Sequence, residues 1–509
     1  MRLFGGNFVI YCMLVEIKHN TTKRLLLTAV AMYSRIGMKI IPIRRYVMKK
    51  EIIEQLKNIV GKQHVLDKYE DLICYTYDAS SITVGKNEVP ALVVFPADAN
   101  EISQILRLAN VEKFPVIPRG AGTNVTGGTI SRADCVVMIM SRMNRILNID
   151  QGNMIAELEP GVVTADFQTE VEKLGLFYPP DPASKGYSSM GGNVAECAGG
   201  PRGAKYGVTR DYVLGLEVVL PTGEIIKTGA RTMKSVAGYD MTRLITGSEG
   251  TLAVITKIIV KLLPLPEAKK TMLVIFDDLN KACETVSKVF LSGIIPTTLE
   301  LLDNIFINCI EDYAHVGLPK DAEAVLLIEV DGDKDILDKQ VNIITEICKK
   351  QGATSVKVAK DAAESEQLWV ARRSSFASVS MIAPTIVGED ATVPRDKIPQ
   401  AVADVRAIAK KYNIKIAVQG HAGDGNLHAT ILADERDKEL MERVELAAGE
   451  IFKSTLALGG TLTGEHGIGR VKARYLVLEI GEDGLKLMKA IKKTFDPNNI
   501  LNPGQFLGE

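Results

Sequence analysis

An Asp-Gly pair set between two apolar runs constrains this chain more than any other local feature. Gly420-His421-Ala422-Gly423-Asp424-Gly425-Asn426-Leu427-His428 lies between the apolar runs 414–418 and 429–432. Asp-Gly tolerates the positive backbone angles of a tight two-residue turn, so the segment reads as a β-hairpin. With Asp424 and Gly425 as the turn residues, His421 faces His428 directly on one side of the sheet. Paired Cβ atoms then lie roughly 4.5–5.5 Å apart, which suits two imidazoles converging on one metal ion. The chain has only 6 histidines. One more stands in Thr463-Gly464-Glu465-His466-Gly467-Ile468-Gly469-Arg470, where glycines flank an acid and a histidine. A lone histidine is more often a satisfied core residue. A His–His hairpin together with a Glu-His loop favours a site.

The chain must house this hairpin in more than one domain, because 509 residues exceed what one core supports. A formal net charge of −1 gives no reason to expect a nucleic-acid partner. The 7 cysteines include no C-x-x-C pair, which fits a reducing compartment and argues against a zinc or iron–sulfur site built from cysteines of this chain. Residues 1–47 are basic, with Glu16 the only acid, and read as an extension that is unstructured or non-essential. No apolar run is long enough to span a bilayer. The expected location is therefore cytoplasmic, at most peripheral to a membrane.

Regular periodicity begins near Lys49. Residues 50–60 and 100–110 have helical apolar faces, and short strands are expected at 91–95, 116–118, 135–140, 154–158, 213–220 and 252–263. Leu263-Pro264-Leu265-Pro266 breaks regular structure and marks a boundary. Beyond it, strand–helix–strand units at 271–301 and 324–358 suggest an antiparallel sheet covered by helices, followed by a helix at 435–458 and a helical tail. The chain reads as α+β, with domains at 48–266 and 267–509.

The second chemical signal is Pro118-Arg119-Gly120-Ala121-Gly122-Thr123-Asn124-Val125-Thr126-Gly127-Gly128, a strand feeding a glycine loop whose N–H groups can converge on an anion. It lacks the G-x-G-x-x-G spacing, the following helix and the ribose-binding acid of a Rossmann site. Pro182-Ala183-Ser184, Gly191-Gly192-Asn193-Val194-Ala195-Glu196-Cys197-Ala198-Gly199-Gly200 and Gly247-Ser248-Glu249-Gly250-Thr251-Leu252 follow it. In this order and spacing the segments resemble the FAD domain of the vanillyl-alcohol oxidase/PCMH flavoproteins. The resemblance implies a PCMH-type FAD-binding domain. Arg119, Gly120, Ala121, Gly122, Thr123, Asn124, Gly127 and Gly128 would then cradle the pyrophosphate. Pro182, Ser184, Gly191, Gly192, Asn193 and Gly199 would line the flavin and its chain, with Ile255 toward the adenine. The sequence departs from the common pattern at Cys197, where asparagine is frequent.

The two histidine motifs, with Asn498-Asn499-Ile500-Leu501-Asn502-Pro503, resemble the C-terminal domain of the FAD-linked oxidases, which include D-lactate dehydrogenases and glycolate oxidase subunits. That resemblance implies that His421, His428 and Glu465 bind a divalent metal (Zn, Mn or Fe), that His466 is the base, that Arg372 grips the substrate carboxylate, and that Asn502 contacts the cofactor. Arg373 is the adjacent rival to Arg372, aimed about 100° away on a helix. The Glu389-Asp390 pair departs from members with a basic or neutral group there, which counts against a dicarboxylate substrate. The implied activity is oxidation of a small D-2-hydroxy acid, D-lactate or glycolate. The metal would hold the hydroxyl oxygen, His466 would take its proton, and the C2 hydride would pass to the flavin. The rival is a redox-neutral flavin enzyme resembling alkyl-dihydroxyacetone-phosphate synthase. The electron acceptor stays open among a quinone, an electron-transfer flavoprotein and an iron–sulfur partner subunit.

Overall fold

The computed structural model describes residues 48–82, 85 and 88–507, so the expectation for residues 1–47 lies outside the described residues. The first sheet has strands Val65–Leu66, Leu92–Val94, Val136–Ile139 and Val116–Arg119 in that spatial order. Leu92–Val94 and Val116–Arg119 run parallel to Val136–Ile139. All residues of Leu92–Val94 and Val136–Ile139 are buried, as expected of parallel strands covered on both faces. Helices Lys50–Val60 and Ala99–Glu112 cover one face with Ile52, Leu56, Ile102, Ile105 and Leu106. Asp98 caps the second helix by accepting from the N–H groups of Asn100 and Glu101, a cap worth about 0.5–2 kcal/mol.

The second sheet is antiparallel, in the order Ile146–Asp150, Ile155–Leu158, Val254–Lys261, Val213–Val219, Ile225–Gly229. Helices Thr164–Glu172 and Met190–Glu196 pack on it through Phe167, Val171, Met190 and Val194. The glycine loop at 120–128 leaves the first sheet after Arg119, and the glycine-rich segments 191–200 and 247–252 precede strands of the second.

The third sheet has seven antiparallel strands in the order Ala353–Val358, Ala268–Phe276, Ala324–Gly332, Thr298–Asp303, Lys415–His421, Asn426–Ala433, Thr385–Thr392. Alternation places Met272, Val274 and Phe276 against helices Leu279–Leu291, Lys334–Lys350, Ile398–Tyr412 and Lys438–Ala457. The opposite face carries Leu273, Leu302 and Leu327 against helices Asn304–Ala314 and Ala362–Arg373. The strand expected around 299–301 runs from Thr298 to Asp303, because Glu300 and Asp303 are buried within it and hide its alternation.

Helix Leu476–Phe495, kinked at Gly481, carries the chain back to the first sheet. The N–H of Val116 donates to Ile500 and that of Asn502 to Val116, each at 2.8 Å. Ile500 and Leu501 thereby enter the core of the first sheet. Lys205 and Tyr206 bind Asp331, tying the second sheet's unit to the third. Among the described residues, no helix is long and apolar enough to cross a membrane.

Candidate active site

The hairpin forms between Lys415–His421 and Asn426–Ala433, but its register differs from the two-residue turn expected. His421 pairs with Asn426 and His428 with Gln419. The loop is four residues long, and the N–H groups of Asp424 and Gly425 both donate to the carbonyl of His421. Gly425 sits at φ +88°, where a Cβ would strike the Val393 carbonyl. The histidines are therefore diagonal neighbours rather than direct partners. They keep a common face because the register differs by two residues, whereas a slip of one would have separated them. Their ring centroids are 5.2 Å apart and the rings nearly perpendicular.

The flanking strands complete a polar patch on this face. Thr392 pairs with Asn426 and Asp390 with His428. On the other side Leu302 pairs with Gln419, which brings Glu300 beside His421. Both Glu300 oxygens lie against His421 Nδ1, at 2.7 and 2.9 Å. The loop 463–467 lies over the patch because Asp390 holds it there. Asp390 Oδ2 accepts from the N–H groups of Gly464, Glu465 and His466 at 3.0, 3.1 and 2.9 Å, and from the Thr463 hydroxyl. Asp390 is fully buried, yet the Lys472 ammonium and the donated hydrogen bonds, that of Thr463 among them, hold its carboxyl well below its usual value despite that burial.

This packing converges His421 Nε2 and His428 Nε2 on Glu465 Oε1, at 3.2 and 3.3 Å. Two ligands at ~2.1 Å from a tetrahedral ion are roughly 3.4 Å apart, so the spacing fits a divalent cation. Burial opposes charge on His421, but Glu300 and Glu465 outweigh it and raise its proton affinity well above normal. A proton there occupies the position a cation would take. The donor set of two imidazoles and a carboxylate suits zinc, manganese or iron. His466 stacks on His428 with centroids 5.2 Å apart, and burial pushes its pKa down to about 4, which keeps it neutral at pH 7.

Glu465 and His466 also line a cavity of about 530 Å³ whose other wall is the glycine loop. Residues 119–124, Gly128, Pro182, Ser184, Gly191, Gly192, Asn193, Gly199, Ile255 and Asn502 all border it, whereas Gly127 does not. The N–H groups of Ala121, Gly122 and Thr123 find no acceptor among the described residues, which leaves them available for an anion. Two of the candidates act from behind the wall. Arg119 donates to the carbonyls of Tyr77 and Thr129, and Asn502 donates to those of Gly128 and Glu249. Cys197 ends a helix at φ +55°, the left-handed region that asparagine adopts more readily, which accounts physically for the frequent residue there.

Arg372 does not border the cavity. Its Nε donates to Glu300 at 2.6 Å and its Nη1 to Ser375, so it joins the histidine cluster through Glu300. Arg373 turns outward to an exposed pair with Glu366. His315 is an exposed helix cap away from the cluster. The sequence reading missed Glu300 and the role of Asp390. Both sit inside strands whose apolar neighbours dominate the pattern, and their partners become visible only across the sheet.

Comparison with known proteins places this geometry in context. Residues 90–229 match a family described as "FAD binding domain", and residues 265–506 match "FAD linked oxidases, C-terminal domain". The glycolate oxidase subunit GlcD of Bacillus subtilis is 48% identical over 460 residues, covering 90% of this chain and 97% of that protein. The D-lactate dehydrogenase of Anaerostipes hadrus is 34% identical, covering 89% and 97%. Among solved structures, p-cresol methylhydroxylase superposes with a TM-score of 0.77 at 18% identity, covering 91% of this chain and 98% of that one. An alkyldihydroxyacetonephosphate synthase does so with 0.72 at 22%, covering 91% and 87%. At such identities these two establish the fold alone.

Proposed function

This chain belongs to the FAD-linked oxidases, and we propose that it oxidises a small D-2-hydroxy acid, glycolate or D-lactate, to the 2-oxo acid. The observation that carries the reading is that Glu465 and His466 border the glycine-walled cavity on one side and the His421–His428 cluster on the other. Bound FAD supplies the two-electron acceptor, and a divalent ion held by His421, His428 and Glu465 supplies a Lewis acid for the 2-hydroxyl. His466, neutral and partly exposed to the cavity, accepts the hydroxyl proton. Asp390 fixes the backbone of His466 and so its approach to the substrate. Arg372 stands outside the cavity with Nε on Glu300 and Nη1 on Ser375, so its reach to the substrate carboxylate is through Nη2.

The naming of relatives as glycolate oxidase subunits supports a partner that carries electrons onward, either an electron-transfer flavoprotein or an iron–sulfur subunit. The test is anaerobic bleaching of the bound flavin by a panel of D- and L-2-hydroxy acids. Rapid bleaching by glycolate or D-lactate supports the reading. Turnover without any electron acceptor would instead indicate redox-neutral chemistry of the alkyldihydroxyacetonephosphate synthase type.

A further inference from the structure

Two carboxylates, the half-buried Glu196 and the buried Glu249, stand in the wall of the cavity, and the chemistry above uses neither. Glu196 ends helix Met190–Glu196 and faces two elements at once. A Cβ built on Gly128 of the glycine loop would lie 3.3 Å from Glu196 Oε1. A Cβ built on Gly467, next to His466, would lie 2.8 Å from Glu196 Oε2 and 3.0 Å from Glu249 Oε1. The two carboxyl groups therefore converge on the Gly467 backbone.

They differ in what surrounds them. Glu249 accepts the N–H groups of Ile468 and Gly469 at 2.8 and 2.7 Å, donors that favour a charged carboxylate. Glu196 Oε2 is sealed from solvent and has no hydrogen-bond partner among the described residues. Two adjacent buried carboxyls cannot both ionise at low cost, so the proton resides on the one without donors. The other charged groups nearby do not reverse this. Asp78 adds negative charge while accepting from Asn124 and Thr129. Burial raises the Glu249 carboxyl to about 7 against the Ile468 and Gly469 donors and Lys472, so its charge is present above that pH, and Arg210 is engaged with the Cys197 sulfur. Burial and the Glu249 charge both raise the proton affinity of Glu196 well above the usual carboxyl range.

We propose that Glu196 is a neutral carboxylic acid that donates its proton as a hydrogen bond to an acceptor of the bound FAD, with Glu249 as the anion that keeps it protonated. The inference rests on the cavity being the FAD site. A phosphate-bearing cofactor explains why a neutral donor is placed there, since a second carboxylate charge beside Gly128 would repel it. Loss of the proton at alkaline pH removes the donor and adds the repulsion together, so FAD binding is coupled to one proton.

The experiment is FAD titration of the apoprotein between pH 6 and 9, read by flavin fluorescence, for the wild type, E196Q and E196A. The wild-type Kd is expected to be flat at the acid end and then to rise by up to tenfold per pH unit. E196Q keeps a donor that does not titrate, so its binding stays tight and flat. E196A has neither donor nor charge, so its binding is weaker and flat. Among the described residues no hydrogen bond to the Glu196 side chain is lost in either variant, and thermal melts of the apoproteins verify folding. A wild-type profile without slope, an E196Q profile that follows the wild type, or equal Kd for E196Q and E196A would each overturn the proposal. Failure of all three proteins to bind FAD at any pH would overturn the reading of the cavity itself.

Discussion

The carboxylate of Asp390 holds the backbone nitrogen of His466 at 2.9 Å, and its side chain lies 4.0 Å from the His466 ring. One buried acid thus sets both the path of the loop and the electrostatic surroundings of its histidine.

Replacing Asp390 by asparagine should release this loop. An amide offers one acceptor oxygen and turns two donors toward the N–H groups that Asp390 now satisfies. Removing one partner of a buried charged network costs about 3–5 kcal/mol. The expected outcome is a melting temperature lowered by several degrees, with turnover reduced at least a hundredfold while FAD still binds. Unchanged turnover would show that the loop needs no such anchor.

The histidines should separate by role. His421→Ala and His428→Ala should each lower metal content and activity together. His466→Ala should retain metal and FAD but slow substrate-driven flavin bleaching by about 10²–10⁴-fold, the usual range for a general base. Elemental analysis and anaerobic stopped-flow absorbance measure these independently. Full metal retention in both hairpin variants would refute the ligand assignment.

Glu300 holds His421 Nδ1 and Arg372 Nε at once. Glu300→Gln should weaken metal binding by about 10–100-fold, as expected when the partner that orients a ligating histidine is changed. Dialysis against a graded chelator series reads this directly.

The two adjacent arginines give a paired control. Arg373→Ala removes only an exposed ion pair and should change stability by no more than ~1 kcal/mol, with kinetics unaffected. Arg372→Ala should reduce kcat/KM at least a hundredfold for a carboxylate substrate. Equal kinetics for the two variants would remove Arg372 from the substrate site.

Asp303 offers a test of pH dependence away from the site. Burial raises its pKa from 3.8 to about 6 against the N–H groups of Phe306 and Val418, which favour the charged form. A folded-state pKa above the unfolded value gives stability that is complete below about pH 4 and declines as pH rises through about 6. The melting advantage of wild type over Asp303→Asn should therefore be larger at pH 5 than at pH 7.5. A constant difference would refute the shift.

The histidine hairpin is legible in the sequence because Asp-Gly between apolar runs has few other uses. Its register is not, since Asp-Gly also fits the last half of a four-residue loop, and the Val393 that Gly425 meets lies just past a strand remote in sequence. Glu300 and Asp390 are illegible for a related reason. A buried acid inside a strand carries no local signature until the neighbouring strands supply its donors. The glycine loop taken alone is weak evidence, and the order of the segments after it carries the resemblance. That Arg119 and Asn502 brace the cavity from behind depends on carbonyls far away in sequence.

The return of Leu501 to the side of Val116 has a consequence for biosynthesis. A ribosome that has made only the first half of this chain has made a sheet whose core lacks Ile500 and Leu501, and a glycine wall not yet braced by Asn502. The nascent amino-terminal half keeps that apolar surface uncovered until residues 500–502 emerge. The glycine wall is thereby braced by a residue made 374 positions after the loop it supports.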